Sequence, residues 1–203
     1  MTAGLVWTLA LALSDVDRSI YEDIRYGWRD PGLGFAASLV SGAGGPLAQL
    51  GIEGVMYLRG RPTQQRAARL AGVAWTAAFA ATVGTKALVR RARPERDNST
   101  WWDSSFPSGH AACYYAATTI YGRKWPELAP FTALGGLLMC LSRVHLGRHY
   151  PSDVIAGAVL GYGCAAGTLA LERRLTPVLD RIMPLRGAAL DVGPDRLGFV
   201  CGI

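Results

Sequence analysis

Five long stretches of the chain are apolar almost throughout: residues 33–58, 70–89, about 107–122, 126–142 and 154–171. The last of them, VIAGAVLGYGCAAGTLAL, runs for 18 residues without a charge, close to the length a helix needs to cross a bilayer. Short connections rich in Arg, Pro or Gly join each stretch to the next, which predicts a compact antiparallel helical bundle. Nothing in the sequence alternates with the period of a β-strand. Ahead of these stretches, Leu5 to Leu13 is apolar but only nine residues long, too short to span alone, and stands as a possible sixth span. From Val16 to Trp28 the apolar Val16, Ile20, Tyr21, Ile24 and Trp28 recur at helical spacing, with Asp17, Arg18, Glu22, Asp23 and Arg25 between them. That pattern predicts an amphipathic helix, lying in the membrane interface or packed on the bundle as an ordinary surface helix. The fold class expected is therefore an all-α integral membrane bundle. It forms one domain over residues 1–203, with an N-terminal part (1–32), a transmembrane core (33–172) and a tail (173–203).

Composition agrees with the pattern. Half the residues are hydrophobic and only 18% are charged, which excludes a disordered chain and is unusual for a soluble domain. The 21 Lys and Arg against 15 Asp and Glu give a net charge of +6, so the surface favours anions: phosphates, acidic lipid headgroups or nucleic acid. Cys113, Cys140, Cys164 and Cys201 are far apart and form no CxxC pair, and three of them lie in apolar stretches, so they read as small buried hydrophobes.

The chemistry concentrates in three places. Pro107-Ser108-Gly109-His110 heads an apolar helix, where proline suits the first turn and the free amides of Ser108, Gly109 and His110, with the positive end of the helix dipole, make an anion site. Upstream, Lys86 and Arg93 are seven residues apart, nearly two helical turns, so both face one ligand if the helix continues to Pro94. The run Lys86, Arg90, Arg91, Arg93 also fits cations snorkelling at a membrane edge, but Lys86 lies deep in the apolar register, where a charge usually has a partner. Downstream, Pro151 opens a helix that places Asp153 in its first turn, within reach of His149. A carboxylate on one imidazole nitrogen fixes the tautomer and raises the basicity of the other nitrogen, as a nucleophilic histidine requires.

An antiparallel bundle brings these three places to one membrane face, because Lys86 and Arg93 end the second stretch, residues 107–110 begin the third and residues 142–153 join the fourth to the fifth. Lysine, arginines, helix N-terminal amides and two histidines together form a phosphate site with its own nucleophile and acid. The residues resemble the type 2 phosphatidic acid phosphatase superfamily, which includes class A acid phosphatases and vanadium haloperoxidases. Its three motifs are Lys-x6-Arg-Pro, Pro-Ser-Gly-His and Ser-Arg-x5-His-x3-Asp. They stand here in order as Lys86 to Pro94, Pro107 to His110 and Ser142 to Asp153.

That resemblance implies a phosphatase that needs no metal or cofactor and works through a phosphohistidine. Carried over residue by residue, His149 attacks phosphorus, Asp153 orients it, and His110 protonates the leaving oxygen and later activates water. Lys86, Arg93 and Arg143, with the amides of Ser108 and Gly109, bind the phosphoryl oxygens. His145 lies outside the motif and reads as structural. Trp101 and Trp102 look like interface anchors or loop packing. The implied partners are a lipid phosphate and the bilayer, with no nucleic acid, and the foremost substrate is a polyprenyl diphosphate. Phosphatidylglycerophosphate and phosphatidate are alternatives, as is a silent lipid-binding or transport protein. On the face opposite the motifs lie Arg59, Arg61, Arg66, Arg69, Arg123, Lys124, Arg173 and Arg174, without a chemical task. By the positive-inside rule that face is cytoplasmic, so the site is expected on the extracytoplasmic side.

Overall fold

The computed structural model describes residues 2–28, 30–96, 100 and 102–185, with the side chains of residues 2–13 outside the description. Trp101, Cys201 and all but the first two residues of the segment 184–203 also lie outside the described residues. The architecture is all-helical, as expected: α1 (Thr2–Gly27), α2 (Pro31–Ala43), α3 (Pro46–Arg59), α4 (Pro62–Val89), α5 (Gly109–Lys124), α6 (Ala129–His145, after a 3-10 turn at Pro126–Leu128), α7 (Pro151–Ala170) and α8 (Glu172–Ile182). Proline stands in the first turn of α2, α3, α4, α6 and α7, where its missing N–H costs nothing.

Among the described residues three helices are long and apolar enough to cross a membrane: α4, α7 and α6 with the turn that leads into it. The chain is an integral membrane bundle, but its spans differ in detail from those expected. The stretch 33–58 is not one helix. It breaks at Gly44-Gly45, and α2 and α3 meet at 46°, as a broken span or a re-entrant loop. Gly44-Gly45 followed by Pro46 is a local signal for that break, since proline cannot continue a helix from before it. The stretch 107–122 becomes α5, whose 16 residues extend only about 24 Å. It is short and rather polar because protein surrounds it, with Ala111, Ala112, Cys113, Ala116, Ala117 and Ile120 fully buried. At the N-terminus, the short apolar segment and the amphipathic segment are one continuous helix, α1.

Large side chains such as Phe35, Leu47, Val55, Phe131, Leu134 and Val159 point outward and form the lipid-facing surface, while the interior is packed with alanine and glycine. The most extensive packing is between α5 and α7. A Cβ on Gly161 would overlap the Ala112 carbonyl oxygen, and one on Gly157 would overlap the Ser108 carbonyl oxygen and meet Ala111 Cβ at 3.0 Å. These two glycines, one turn apart on α7, set how near the motif-bearing end of α5 lies. Gly161→Val is accordingly expected to destabilise the protein by about 1–3 kcal/mol through overpacking. Gly163→Val, where nothing lies within 4 Å, should be nearly neutral. Thermal unfolding in detergent compares the two, and equal midpoints would contradict the packing described.

The amphipathic helix turns a different face inward from the one its apolar stripe suggests. Asp17 and Tyr21 are buried and Ile24 is half-buried, while Val16, Ile20 and Trp28 are exposed. Two of the eight cations on the opposite end also have structural tasks: Arg69 turns inward to Asp180 (2.8 Å) and the Met183 carbonyl (2.7 Å), docking α8, and Lys124 pairs with Glu172.

Candidate active site

The three motif segments converge at one end of the bundle. Helix α4 stops at Val89 and does not reach Pro94, as the sequence suggested; Arg90 caps it in the left-handed conformation (φ 51°). Lys86 therefore approaches from the last turn of a helix and Arg93 from a loop. The Lys86 ammonium donates to the Ser104 carbonyl oxygen. That loop is stitched to a second one, 103–107, because Arg91 N–H donates to Ser104 Oγ (3.0 Å), Ser105 N–H to the Arg91 carbonyl (2.8 Å) and Ser105 Oγ to the Ala92 carbonyl (3.0 Å).

Arg93 holds the site's loops together. Its Nε donates to Asp103 Oδ1 (2.8 Å), and its Nη1 donates to the Arg148 carbonyl (2.8 Å) and lies 3.5 Å from His149 Nε2. Burial works against a charge on Asp103, yet hydrogen bonds from Arg93 and Arg96 hold its carboxyl below the usual range.

Helix α5 begins at Gly109 rather than at Pro107, so Pro107 precedes the cap and Ser108 is the cap. The Ser108 N–H is not free as the sequence suggested: it donates to the Asp153 carbonyl at 2.9 Å, tying the start of α5 to the start of α7. Ser108 Oγ accepts from Ala111 N–H at 3.5 Å. The first-turn amides left for a ligand are those of Gly109 and His110, which have no intrahelical acceptor. Burial, reinforced by Arg143, His149, Arg93 and Lys86, works against a positive charge on the free His110 ring.

His149 is buried in the turn before α7, 2% exposed. Its Nδ1 lies 2.8 Å from the Ser105 carbonyl oxygen. A carbonyl only accepts, so Nδ1 carries the proton and Nε2 bears the lone pair that faces Arg93. Asp153 lies 3.7 Å from Nδ1, beyond hydrogen-bond length, and acts on the ring through its field. The tautomer that the sequence reading assigned to the carboxylate is thus set by a backbone carbonyl. Burial, reinforced by Arg143 and Arg93 against the pull of Asp153, lowers the imidazole pKa to about 4, so the ring is neutral near pH 7.

Asp153 is fully buried at the third position of α7; Oδ2 accepts from Tyr150 N–H (2.8 Å) and Oδ1 from Arg91 (2.8 Å). Arg143 donates to Ser41 Oγ (2.7 Å), and its Nε is buried without a hydrogen-bond partner, a donor positioned for an anion. Ser41 lies just before the α2–α3 break, and a Cβ on Gly45 would lie 3.4 Å from His110 Nε2, so the bend lines the site. Asp17, Ser41, Gly45, Ser104 and Ser105 are absent from the motifs and were not found by reading the sequence. Only Gly44-Gly45-Pro46 carried a local signal. His145 is structural as expected, its Nδ1 donating to the Ile24 carbonyl (3.2 Å). Among the described residues no group of three or more His, Cys, Asp or Glu is arranged to hold a metal ion.

The chain matches the description "PAP2 superfamily" over residues 67–177, more than half its length and all three motifs. The chain belongs to this superfamily. Among curated proteins, this PAP2 chain is 39% identical over 105 residues to decaprenylphosphoryl-5-phosphoribose phosphatase of Mycobacterium tuberculosis, covering 49% of the chain and 58% of the relative. The chain spans about half the length of the curated relatives it matches. Two crystal structures share its fold. One is Aquifex aeolicus LpxE, with a TM-score of 0.64, 18% identity and coverage of 75% of this chain and 93% of that one. The other is a transmembrane PAP2-type phosphatidylglycerolphosphate phosphatase from Bacillus subtilis, with a TM-score of 0.63, 21% identity and coverage of 84% and 92%.

Proposed function

We propose that the chain, acting as a single domain, is a membrane lipid phosphatase whose nucleophile is His149. The observation that carries this reading is the bare, neutral Nε2 of His149, oriented by the Ser105 carbonyl and 3.5 Å from Arg93. Nε2 attacks phosphorus, an N–P bond forms and the P–O bond to the lipid breaks, while His110 gives its proton to the leaving oxygen. Water then attacks phosphorus, the N–P bond breaks, and His110 takes the proton from that water. Lys86, Arg93, Arg143 and the amides of Gly109 and His110 bind the phosphoryl oxygens and the charge that builds on them. Asp153 faces the ring edge at Nδ1 and stabilises the cationic phosphoimidazole.

A lipid with a terminal phosphate suits this placement, because the site lies at the end of apolar helices that hold its tails in the bilayer. The name of the mycobacterial relative, a phosphatase of a decaprenyl-phosphoryl sugar phosphate, favours a polyprenyl lipid over a phosphatidate or phosphatidylglycerophosphate. Phosphate release in detergent from farnesyl diphosphate, a polyprenyl monophosphate, phosphatidate and phosphatidylglycerophosphate, each with and without EDTA, tests the reading. Turnover of a polyprenyl substrate that survives EDTA is expected. Loss of all activity in EDTA with recovery in magnesium would overturn it, as would a chain inert on every substrate.

The site is proposed to face away from the cytoplasm. Arg69 and Lys124 have structural partners, but the other six cations on the opposite end still outweigh any task found for them. Thr63 and the site stand at opposite ends of α4, about 40 Å apart along its 28 residues. After replacement of the native cysteines, Thr100→Cys should react with a membrane-impermeant thiol reagent in intact cells and Thr63→Cys should not. The reverse pattern would place the site in the cytoplasm.

A further inference from the structure

Asp153 is a fully buried carboxylate, and such a charge is costly unless it is paired. Its partner is Arg91, which the three motifs do not include. The Arg91 guanidinium is held on several sides. Nη1 donates to Asp153 Oδ1 (2.8 Å) and Ser152 Oγ (2.7 Å), Nη2 donates to Asp17 Oδ2 (2.7 Å), and the plane lies 4.1 Å from the centre of the Tyr150 ring. Burial disfavours its charge, but Asp17 and Asp153 more than restore it. Asp17 comes from α1, 74 residues before Arg91 and 135 before Ser152, and is itself buried at 7% exposure. It also accepts from Ser152 N–H (2.8 Å) and Ser152 Oγ (2.6 Å), so it grips the first turn of α7 directly.

We infer that Asp17 and Arg91 are positioning residues of the active site, acting on His149 through Asp153, and that α1 is thereby part of the catalytic unit. The inference rests on the phosphatase reading above. Two carboxylates sharing one guanidinium leave the trio Asp17, Arg91 and Asp153 with one net negative charge beside the ring. A phosphoimidazole that carries a positive charge balances it. Without the Asp17 charge, Arg91 and Asp153 cancel one another, and the ring loses much of the field that favours its charged intermediate. Arg91 also fixes where Asp153 stands: 3.7 Å from Nδ1, near enough for its field yet leaving the Nδ1 proton donated to the Ser105 carbonyl. The Arg91 backbone anchors that carbonyl's own residue through Ser105 N–H.

The test measures kcat and KM in detergent for wild type, His149→Ala, Asp17→Asn, Arg91→Lys, Arg91→Ala, Asp153→Asn and the double variant Asp17→Asn with Asp153→Asn. The probe is farnesyl diphosphate or, if the wild type does not turn it over, dioctanoyl phosphatidate. Asp17→Asn keeps the size and much of the hydrogen bonding while removing the charge. We expect it to lower kcat by about tenfold with KM little changed, and to cost far less in the Asp153→Asn background, because residues acting as one unit are not additive. Arg91→Lys should retain more activity than Arg91→Ala. Wild-type kcat in Asp17→Asn, or the same fold-loss in both backgrounds, overturns the inference. Thermal unfolding of each variant separates lost positioning from lost fold; if Arg91→Ala does not fold, Asp17→Asn and Arg91→Lys decide. Equal activity in His149→Ala and wild type would instead defeat the phosphatase reading itself, whereas an inactive His149→Ala beside an unaffected Asp17→Asn defeats the relay alone.

Discussion

His149→Ala should lose phosphatase activity by at least the ~10²–10⁴-fold that removal of a positioned imidazole usually costs, and His110→Ala should fall in the same range. The two losses have different causes. Among the described residues His149 is the histidine whose free nitrogen faces Arg93 with its other nitrogen fixed by the Ser105 carbonyl, so no neighbour is placed to replace it as the proposed nucleophile. His110 lies at the second position of α5 against the α2–α3 bend, and its proposed task is to protonate the leaving oxygen. A lipid with a better leaving group should therefore recover activity in His110→Ala but not in His149→Ala. The depressed pKa of His149 adds a pH expectation. The ring is the free base above about 4 and takes up a proton as pH falls through that value, so its nucleophilicity is present at neutral pH and lost only in strong acid. An acid limb of kcat/KM near 6.5 that persists in His110→Ala would contradict the buried ring described here. Retention of activity within a few-fold in either alanine variant would end the mechanism.

Arg93→Ala should cost about 10²–10³ in kcat, the range for losing one preorganised donor to a developing oxyanion. Arg93 Nη1 lies 3.5 Å from His149 Nε2, while Nε donates to Asp103 and Nη1 also donates to the Arg148 carbonyl, so its reach is fixed before substrate arrives. Lysine lacks the planar fork that makes these bonds at once, so Arg93→Lys should restore only part of the loss. Because Arg93 also ties two loops together, Asp103→Asn serves as the control: it weakens the anchor and keeps the guanidinium. A smaller loss in Asp103→Asn than in Arg93→Ala assigns the effect to phosphate binding. Equal losses would mean that Arg93 acts as a loop tie and not as a phosphate ligand.

The tertiary structure also changes what some motif residues do. Ser108 reads from sequence as an amide for phosphate, but its N–H is spent on the Asp153 carbonyl, so it joins two helix starts and leaves the amides of Gly109 and His110 open to a ligand. Arg91 reads as one of several cations at a membrane edge. Its position beneath Asp153 and Asp17 depends on how α1 returns to the bundle, and no local pattern encodes that return. Asp17 is hidden for the same reason: in an amphipathic segment the apolar stripe is the default buried face, and here a carboxylate satisfied by Arg91 and Ser152 lies inward while Val16 and Ile20 remain outside.

The sequence by itself determined the class of the molecule and brought forward the residues proposed to carry its chemistry. Runs of apolar residues of membrane-spanning length have few ways to bury their backbone polar groups other than as helices, and the motifs place Lys86, Arg93, His110, Arg143, His149 and Asp153 at successive helix ends that an antiparallel bundle must bring together. Helix boundaries and side-chain partners were decided only in three dimensions. The Gly44-Gly45 break, the end of α4 at Val89 and the shelter that lets α5 be short and polar all depend on which neighbour covers a segment. The proton on His149 is the sharpest case. Sequence spacing places Asp153 one helical turn from the ring, whereas the carbonyl that fixes the tautomer comes from Ser105, 44 residues away, and only the folded loops set a hydrogen bond of 2.8 Å against a carboxylate at 3.7 Å.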